Sequence, residues 1–247
     1  MKQKSILTIL TCLVMVTSLV FLRKPIITGQ ITKQTIYLWL LNVCHLQSKN
    51  AQPTALLVDD DSGYGIYSIK RICDELGIKA TFAVIPSRLD SILCDSLRQW
   101  QQDGYHIALH GYNHNRWEKW TSKDIINDIE QCELLLQEKG FEKAYQYVVP
   151  PHTNNTRNIR NAIKAKGYKM ITGANIVNPD TTVFQVGRFS LGKDDPDIKN
   201  AKIILTKAFH DKSFVIFGTH SSIKDCYSEE RAKAILKLAI DIGLNFI

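Results

Sequence analysis

The six cysteines of this sequence, Cys12, Cys44, Cys73, Cys94, Cys132 and Cys226, include no CxxC pair. With Cys12 set apart in an N-terminal apolar run, the other five are odd in number, which argues against a disulfide framework or a cysteine-zinc site. Cys73 and Cys132 fall in helical patterns where a small buried hydrophobe suffices. The sequence also lacks internal repeats and disorder-prone tracts. No block of one charge stands out, because the net charge of +7 is spread along the chain. That distribution describes a solvated basic surface, so no nucleic-acid partner is expected. What remains is an ordinary balance of 45% apolar and 22% charged residues, enough to bury one full core.

The N-terminus is the exception. Lys2 and Lys4 precede an uncharged run over residues 5–22, which Arg23 and Lys24 close. The run approaches a membrane span in length and no small-x-small cleavage site follows it, so residues 1–24 are expected to be a retained anchor rather than a removed signal peptide. Positive charge on both sides leaves the orientation open. Residues 25–53 read as a linker with a short helix, and residues 54–247 as one domain. The expected location is membrane-anchored with the domain outside the cytoplasm, or secreted if the segment is cleaved.

Beyond Pro53 the hydrophobic pattern alternates between period 2 and period 3.6. Short apolar runs at 55–58, 81–85, 106–109, 145–149, 169–172, 183–186, 214–217 and 245–247 read as strands, with helices between them. Gly77, Gly104, Gly140 and Gly167 fall where a helix should stop before the next strand. Seven or eight such units make an α/β chain and favour a closed or nearly closed barrel of parallel strands. In that architecture the loops after the strands carry the active site.

Two of those loops hold a chemically pointed set. Asp59-Asp60-Asp61 follows the first strand, and His110-Gly111-Tyr112-Asn113-His114 follows the third. One carboxylate and two imidazoles form a ligand set for an open, catalytic metal site, here Asp60, His110 and His114. A metal so held keeps positions for water and a substrate carbonyl, and it lowers the water's pKa from 15.7 to roughly 7 in the best zinc cases. His220, after a later strand, is the candidate acid for the leaving group, because imidazole titrates near neutral pH.

These segments resemble the polysaccharide deacetylases, carbohydrate esterase family 4. Leu57-Val58-Asp59-Asp60-Asp61 falls on the family's Thr-Phe-Asp-Asp-Gly, and Lys79-Ala80-Thr81-Phe82-Ala83-Val84-Ile85 is similar to its Lys-Ala-Thr-Phe-Phe-Val-Ile. The stretch from Gly104 to His114 resembles its Gly-His-Glu-Ile-Gly-x-His-Ser/Thr-x-x-His. The resemblance implies a distorted (β/α) barrel of about seven parallel strands and removal of acetyl groups from an N- or O-acetylated carbohydrate. It also implies one divalent metal, Zn²⁺ first and Co²⁺, Ni²⁺ or Mn²⁺ as alternatives. Asp59 is then the base that takes the water proton, Asp60 the ligand, and His220, on Val215-Ile216-Phe217-Gly218-Thr219-His220, the acid.

After His114 the pattern diverges. Val149-Pro150-Pro151-His152 stands where the family has Arg-Pro-Pro-Tyr, so the arginine that orients the catalytic aspartate is missing. Asp61 replaces a glycine, with a helix N-cap as its plain alternative. Pro151, His152 and Trp117 are the expected substrate contacts, with Trp117 and Trp120 as sugar platforms or, equally, as packing. Asp-x-Asp also marks nucleotide-sugar glycosyltransferases, whose fold needs a nucleotide-binding half ahead of the motif. The competing non-enzymatic reading is a deacetylase-like domain that only binds glycan or metal.

Overall fold

The structure, a computed structural model, describes residues 50–61, 63–173, 177–193 and 197–247. The expected anchor at 1–24 and the linker up to residue 49 lie outside the described residues. No helix among the described residues is long and apolar enough to cross a membrane.

The domain is built on β1 (Thr54–Asp60), whose seven residues are all buried. A strand covered on both faces must be mostly apolar along its length, as in a parallel sheet flanked by helices, and besides Thr54 at its start only the two aspartates at its end break that rule. Parallel partners flank it: β2 (Ala80–Val84) on one side and β8 (Phe214–Thr219) on the other, with the short β9 (Asn245–Phe246) also pairing to its start. From β2 the sheet continues through β3 (His106–Leu109), β4 (Tyr147–Val148) and β5 (Lys169–Thr172) to β6 (Gln185–Gly187). Beyond β8 lies β7 (Phe189–Ser190), so the order is β6-β5-β4-β3-β2-β1-β8-β7.

The two ends of that order are consecutive in the chain. Gly187 pairs with Thr172 of β5, and two residues later Phe189 pairs with Phe217 of β8. One extended stretch therefore touches both edges of the sheet and nearly closes it into the expected barrel. Arg188 is the residue at the seam. The buried Asn178 side chain stitches it: its Oδ1 accepts from Gly187 N at 2.7 Å, and its Nδ2 donates to the carbonyls of Gly187 and Phe214 at 2.9 and 3.3 Å.

The connecting helices are α1 (Ile66–Leu76), α2 (Ser91–Gln102), α3 (Ser122–Glu138), α4 (Arg157–Ala165), α5 (Ile198–His210) and α6 (Glu229–Ile242). Side chains of Asp90, Thr121, Thr156, Asp197 and Ser228 cap five of them by accepting from N3 backbone amides. At the other end, Gly77 leaves α1 at φ +67, and Gly104, Gly140 and Gly167 also adopt positive φ after their helices. The observed elements match the sequence pattern closely, apart from β7, where Phe189 stands between Arg188 and Ser190 and no apolar run marks a strand.

Strand alternation decides what faces inward. Leu56 and Val58 of β1 share the barrel core with Ala83, Ala108, Tyr147, Val149, Ile171, Val186, Phe214 and Ile216. Continuing the same parity to the C-terminal mouth places Asp60, His110, Arg188 and His220 toward the lumen. Asp59 takes the opposite face.

Asn178 gives this seam its test. Asn178→Ala leaves the Gly187 N–H and C=O buried without partners, a loss of about 1 to 3 kcal/mol for each unsatisfied group. Denaturant unfolding should show a drop in midpoint of that order with little change in the slope.

Candidate functional site

The site lies at the C-terminal mouth of the barrel, and its first element is a buried ion pair. Arg188 Nη1 donates to Asp60 Oδ1 at 2.6 Å, with Asp60 1% exposed and Arg188 5%. The other carboxylate oxygen, Oδ2, is 3.3 Å from His220 Nε2 and 3.7 Å from His110 Nε2. Burial raises the pKa of the Asp60 carboxyl, but the adjacent guanidinium and the His220 and His110 imidazoles outweigh it and hold the group well below the usual carboxylate range. In return, the Asp60 contact raises His220 above its ordinary value against the opposing effect of burial.

Asp61 begins the loop after β1, and it turns to a different set of partners. Its Oδ1 is 3.3 Å from His114 Nε2 and 3.7 Å from His110 Nε2. Ligand atoms of Asp61, His110 and His114 lie within 4.8 Å of one another, as do those of Asp60, Asp61 and His220. The structure therefore gathers Asp61, rather than the expected Asp60, with the two histidines. Burial raises the Asp61 carboxyl, and the two imidazoles bring it below the usual range. Burial, with His110 beside it, pushes His114 down to about 4, so its imidazole is neutral and free to ligate near pH 7.

His110 is the test of whether a metal fits. Its Nδ1 lies 2.7 Å from the Val149 carbonyl, a contact that an N–H on Nδ1 satisfies and that leaves Nε2 with the lone pair. That buried Nε2 has no hydrogen-bond partner. An unpartnered, aimed imidazole nitrogen beside a carboxylate and a second imidazole is the donor set of an open divalent-metal site, so the residues fit one.

The backbone around the site is tightly held. Asp61, His114 and His152 adopt φ of +61, +60 and +56, a region that costs an ordinary residue about 1 kcal/mol or more. Gly111 is at φ +78, and a Cβ there would sit 2.7 Å from Pro151 Cγ and 3.4 Å from Trp117 Cζ2. Only glycine lets the loop turn under the proline.

These contacts correct two expectations. Trp117 is fully buried, so its ring packs beneath the loop and offers no face to a sugar. Pro151 is likewise buried, its ring against Gly111, and it supports the turn that carries His110. His152 is exposed, its ring centroid 4.4 Å from that of His114. Trp120 lines an open polar groove of about 470 Å³ with Tyr112, Asn113, Asn115, Asn127 and Gln131.

Asp59 is also buried, but on the helix side of β1. Its oxygens accept from Thr219 Oγ1, from Ser221 N at 2.8 Å and from Ser221 Oγ at 2.7 Å. Arg188 escaped the sequence reading altogether. Its signal was available: it stands two residues beyond the inward Val186, on the same strand face.

Residues 47–171, about half of the chain, match the family model described as polysaccharide deacetylase. The chain belongs to the polysaccharide deacetylase family. A chitin deacetylase from the fungal pathogen Colletotrichum lindemuthianum is similar to it at 16% identity and TM-score 0.59, over 81% of this chain and 87% of that one. A family 4 acetyl xylan esterase from Clostridium thermocellum, solved with a cobalt ion, matches at 15% identity and TM-score 0.58, over 78% and 87%. A family 4 pseudoenzyme from Bacillus anthracis matches at 11% and 0.55, over 79% and 63%. At these identities the likeness is one of fold. No curated relative matches the sequence.

The Asp59 carboxyl yields a pH test. Burial pushes it up to about 6, while the hydrogen bonds from Thr219 and Ser221 pull the other way. An unfolded aspartate titrates near 3.9, so the ionised form costs folding free energy above about pH 6, and that cost is relieved as the pH falls toward 4. The depressed His114 acts in the opposite sense below pH 6.5, so the comparison must be a difference. The stability advantage of Asp59→Asn over the parent protein should be largest at pH 7 to 8 and shrink by pH 5, measured by denaturant unfolding of metal-free protein.

Proposed function

We propose that this protein removes acetyl groups from an N- or O-acetylated carbohydrate by metal-dependent hydrolysis, with Asp61, His110 and His114 as ligands. The observation that carries the reading is the buried, unpartnered His110 Nε2, which faces Asp61 beside the Asp60, Arg188 and His220 cluster. A bound divalent ion, Zn²⁺ before Co²⁺, Ni²⁺ or Mn²⁺, supplies polarisation of the acetyl carbonyl and a lowered pKa for water. Similarity to both a chitin deacetylase and an acetyl xylan esterase supports acetyl chemistry without choosing nitrogen or oxygen.

The protein's own residues then divide the proton work. Arg188 occupies Oδ1 of Asp60 and keeps the carboxylate ionised, leaving Oδ2 to accept the proton of the attacking water. Protonated His220 gives its proton to the departing amine or alkoxide. Asp60 then reloads His220 across the 3.3 Å contact. That transfer runs downhill, because a carboxylic acid is ordinarily a stronger acid than an imidazolium. Relative to the family pattern, the base and ligand roles move one residue along, from Asp59 and Asp60 to Asp60 and Asp61. Arg188 stands in for the arginine that Val149 replaces.

A glycan chain suits the groove that Asn113 and Asn115 line, where the Trp120 ring and side-chain amides offer the stacking and hydrogen bonding that sugars use. The uncharged run over residues 5–22 supports an anchor that presents the domain to cell-surface glycans, and that run alone supports it.

Asp61→Ala and His114→Ala should lose bound metal by elemental analysis. Asp60→Asn should keep it and lose acetate release by at least about 10²-fold, the scale of removing a general base. Full metal content in the parent protein with no acetate released from chitin oligomers, peptidoglycan or acetylated exopolysaccharide would establish the binding-only alternative.

Arg188→Leu strands a buried carboxylate, at about 3 to 5 kcal/mol of stability, and the double variant with Asp60→Asn should recover much of that loss in unfolding experiments.

A further inference from the structure

Asp59 lies beside the site yet is barred from its chemistry. Its parity on β1 turns it away from the lumen that Asp60 enters, and it is fully buried. Among the described residues no lysine, arginine or histidine pairs with it. Instead both oxygens are taken by the chain leaving β8: Thr219 Oγ1 and Ser221 N on Oδ1, Ser221 Oγ on Oδ2. The two anchored residues bracket His220. The same turn is pinned from a second direction, since Gly63 N donates to Ser222 Oγ at 2.8 Å. A Cβ on Gly65 would lie 2.1 Å from the Ser221 carbonyl oxygen, so the β1 loop and the β8 turn interlock at backbone distance.

We propose that Asp59 is a positioning residue that fixes the Thr219–Ser221 turn and thereby sets the approach of His220 to Asp60. This rests on the reading that His220 carries the proton. The β1–β8 ladder ends with Asp59 opposite Thr219, so beyond that pair no sheet hydrogen bond holds the turn. Charge-assisted hydrogen bonds to a buried carboxylate are the stronger kind, and they replace the missing rungs. The role also explains why the motif carries three aspartates: one clamps the turn, one accepts the proton and one binds the metal.

The test compares Asp59→Ala with Asp59→Asn on the full chain. An amide oxygen still accepts from Ser221 N–H and Thr219, whereas alanine releases the turn. Misplacement of a catalytic group by an ångström can cost on the order of 10²-fold. Asp59→Ala should therefore lower kcat by roughly 10- to 100-fold with KM and metal content retained, and Asp59→Asn should recover to within about fivefold of the parent protein. Thr219→Val with Ser221→Ala, which removes both hydroxyl contacts and leaves only the Ser221 N–H on the carboxylate, should lower kcat in the same direction but by less than Asp59→Ala. An Asp59→Asn variant as inactive as Asp59→Ala, with metal retained, would make Asp59 the base and overturn the proposal.

Crystal structures supply a readout that does not depend on acetyl hydrolysis. The contact of His220 Nε2 with Asp60 Oδ2 should persist in Asp59→Asn and open in Asp59→Ala. An unchanged contact in Asp59→Ala would refute the clamp even if no substrate is found.

Discussion

The Asp60–Arg188 ion pair is the interaction on which the rest of the site depends. A carboxylate at 1% exposure is tolerable only with a cation and good hydrogen bonds, since desolvating it alone costs several kcal/mol. The guanidinium arrives on the stretch of chain that nearly closes the barrel, between Gly187, which pairs with β5, and Phe189, which pairs with β8. Barrel closure and charge neutralisation are therefore a single event. Asn178, which ties Gly187 to Phe214, thus supports the mouth of the barrel from some distance along the chain.

From that pair outward, three consecutive aspartates meet three different environments. Alternation sends Asp59 toward the helix layer and Asp60 into the lumen. The end of the strand frees Asp61 to enter the left-handed region and reach His114. Identical side chains consequently have different protonation behaviour: Asp59 pushed up to about 6 by burial without a cation, and Asp60 and Asp61 held down by cationic or imidazole neighbours despite their burial.

Rigidity is the second theme of the site. Left-handed backbone at Asp61, His114 and His152 is concentrated around the donor atoms, and Asp and His are among the residues that tolerate it best. Gly111 beneath Pro151 and Gly65 against Ser221 show how: strands and turns approach so closely that neither loop can relax without moving the other. Aromatic bulk serves this packing too, which is why Trp117 lies inside the protein and Trp120 is left to line the groove.

The sequence by itself determined the order of strands and helices, the parallel barrel and the two loops that hold the chemistry, because hydrophobic period and glycine stops are local signals. His110, His114 and His220 were legible for the same reason, each following an apolar run that ends at the mouth. Only the tertiary structure decided which partners each aspartate meets and which cation answers Asp60. Asp60 and Arg188 are 128 residues apart in the chain, and nothing local links them. The parity that separates Asp59 from Asp60 was already written in residues 55–58, yet its meaning required knowing that Leu56 and Val58 point to the barrel interior. A run of three identical residues carries no register of its own, so residue type alone does not say which aspartate faces the two histidines; in the structure it is Asp61 that groups with His110 and His114. The fold supplies that register, through the β1–β8 pairing and the turn that Asp59 holds.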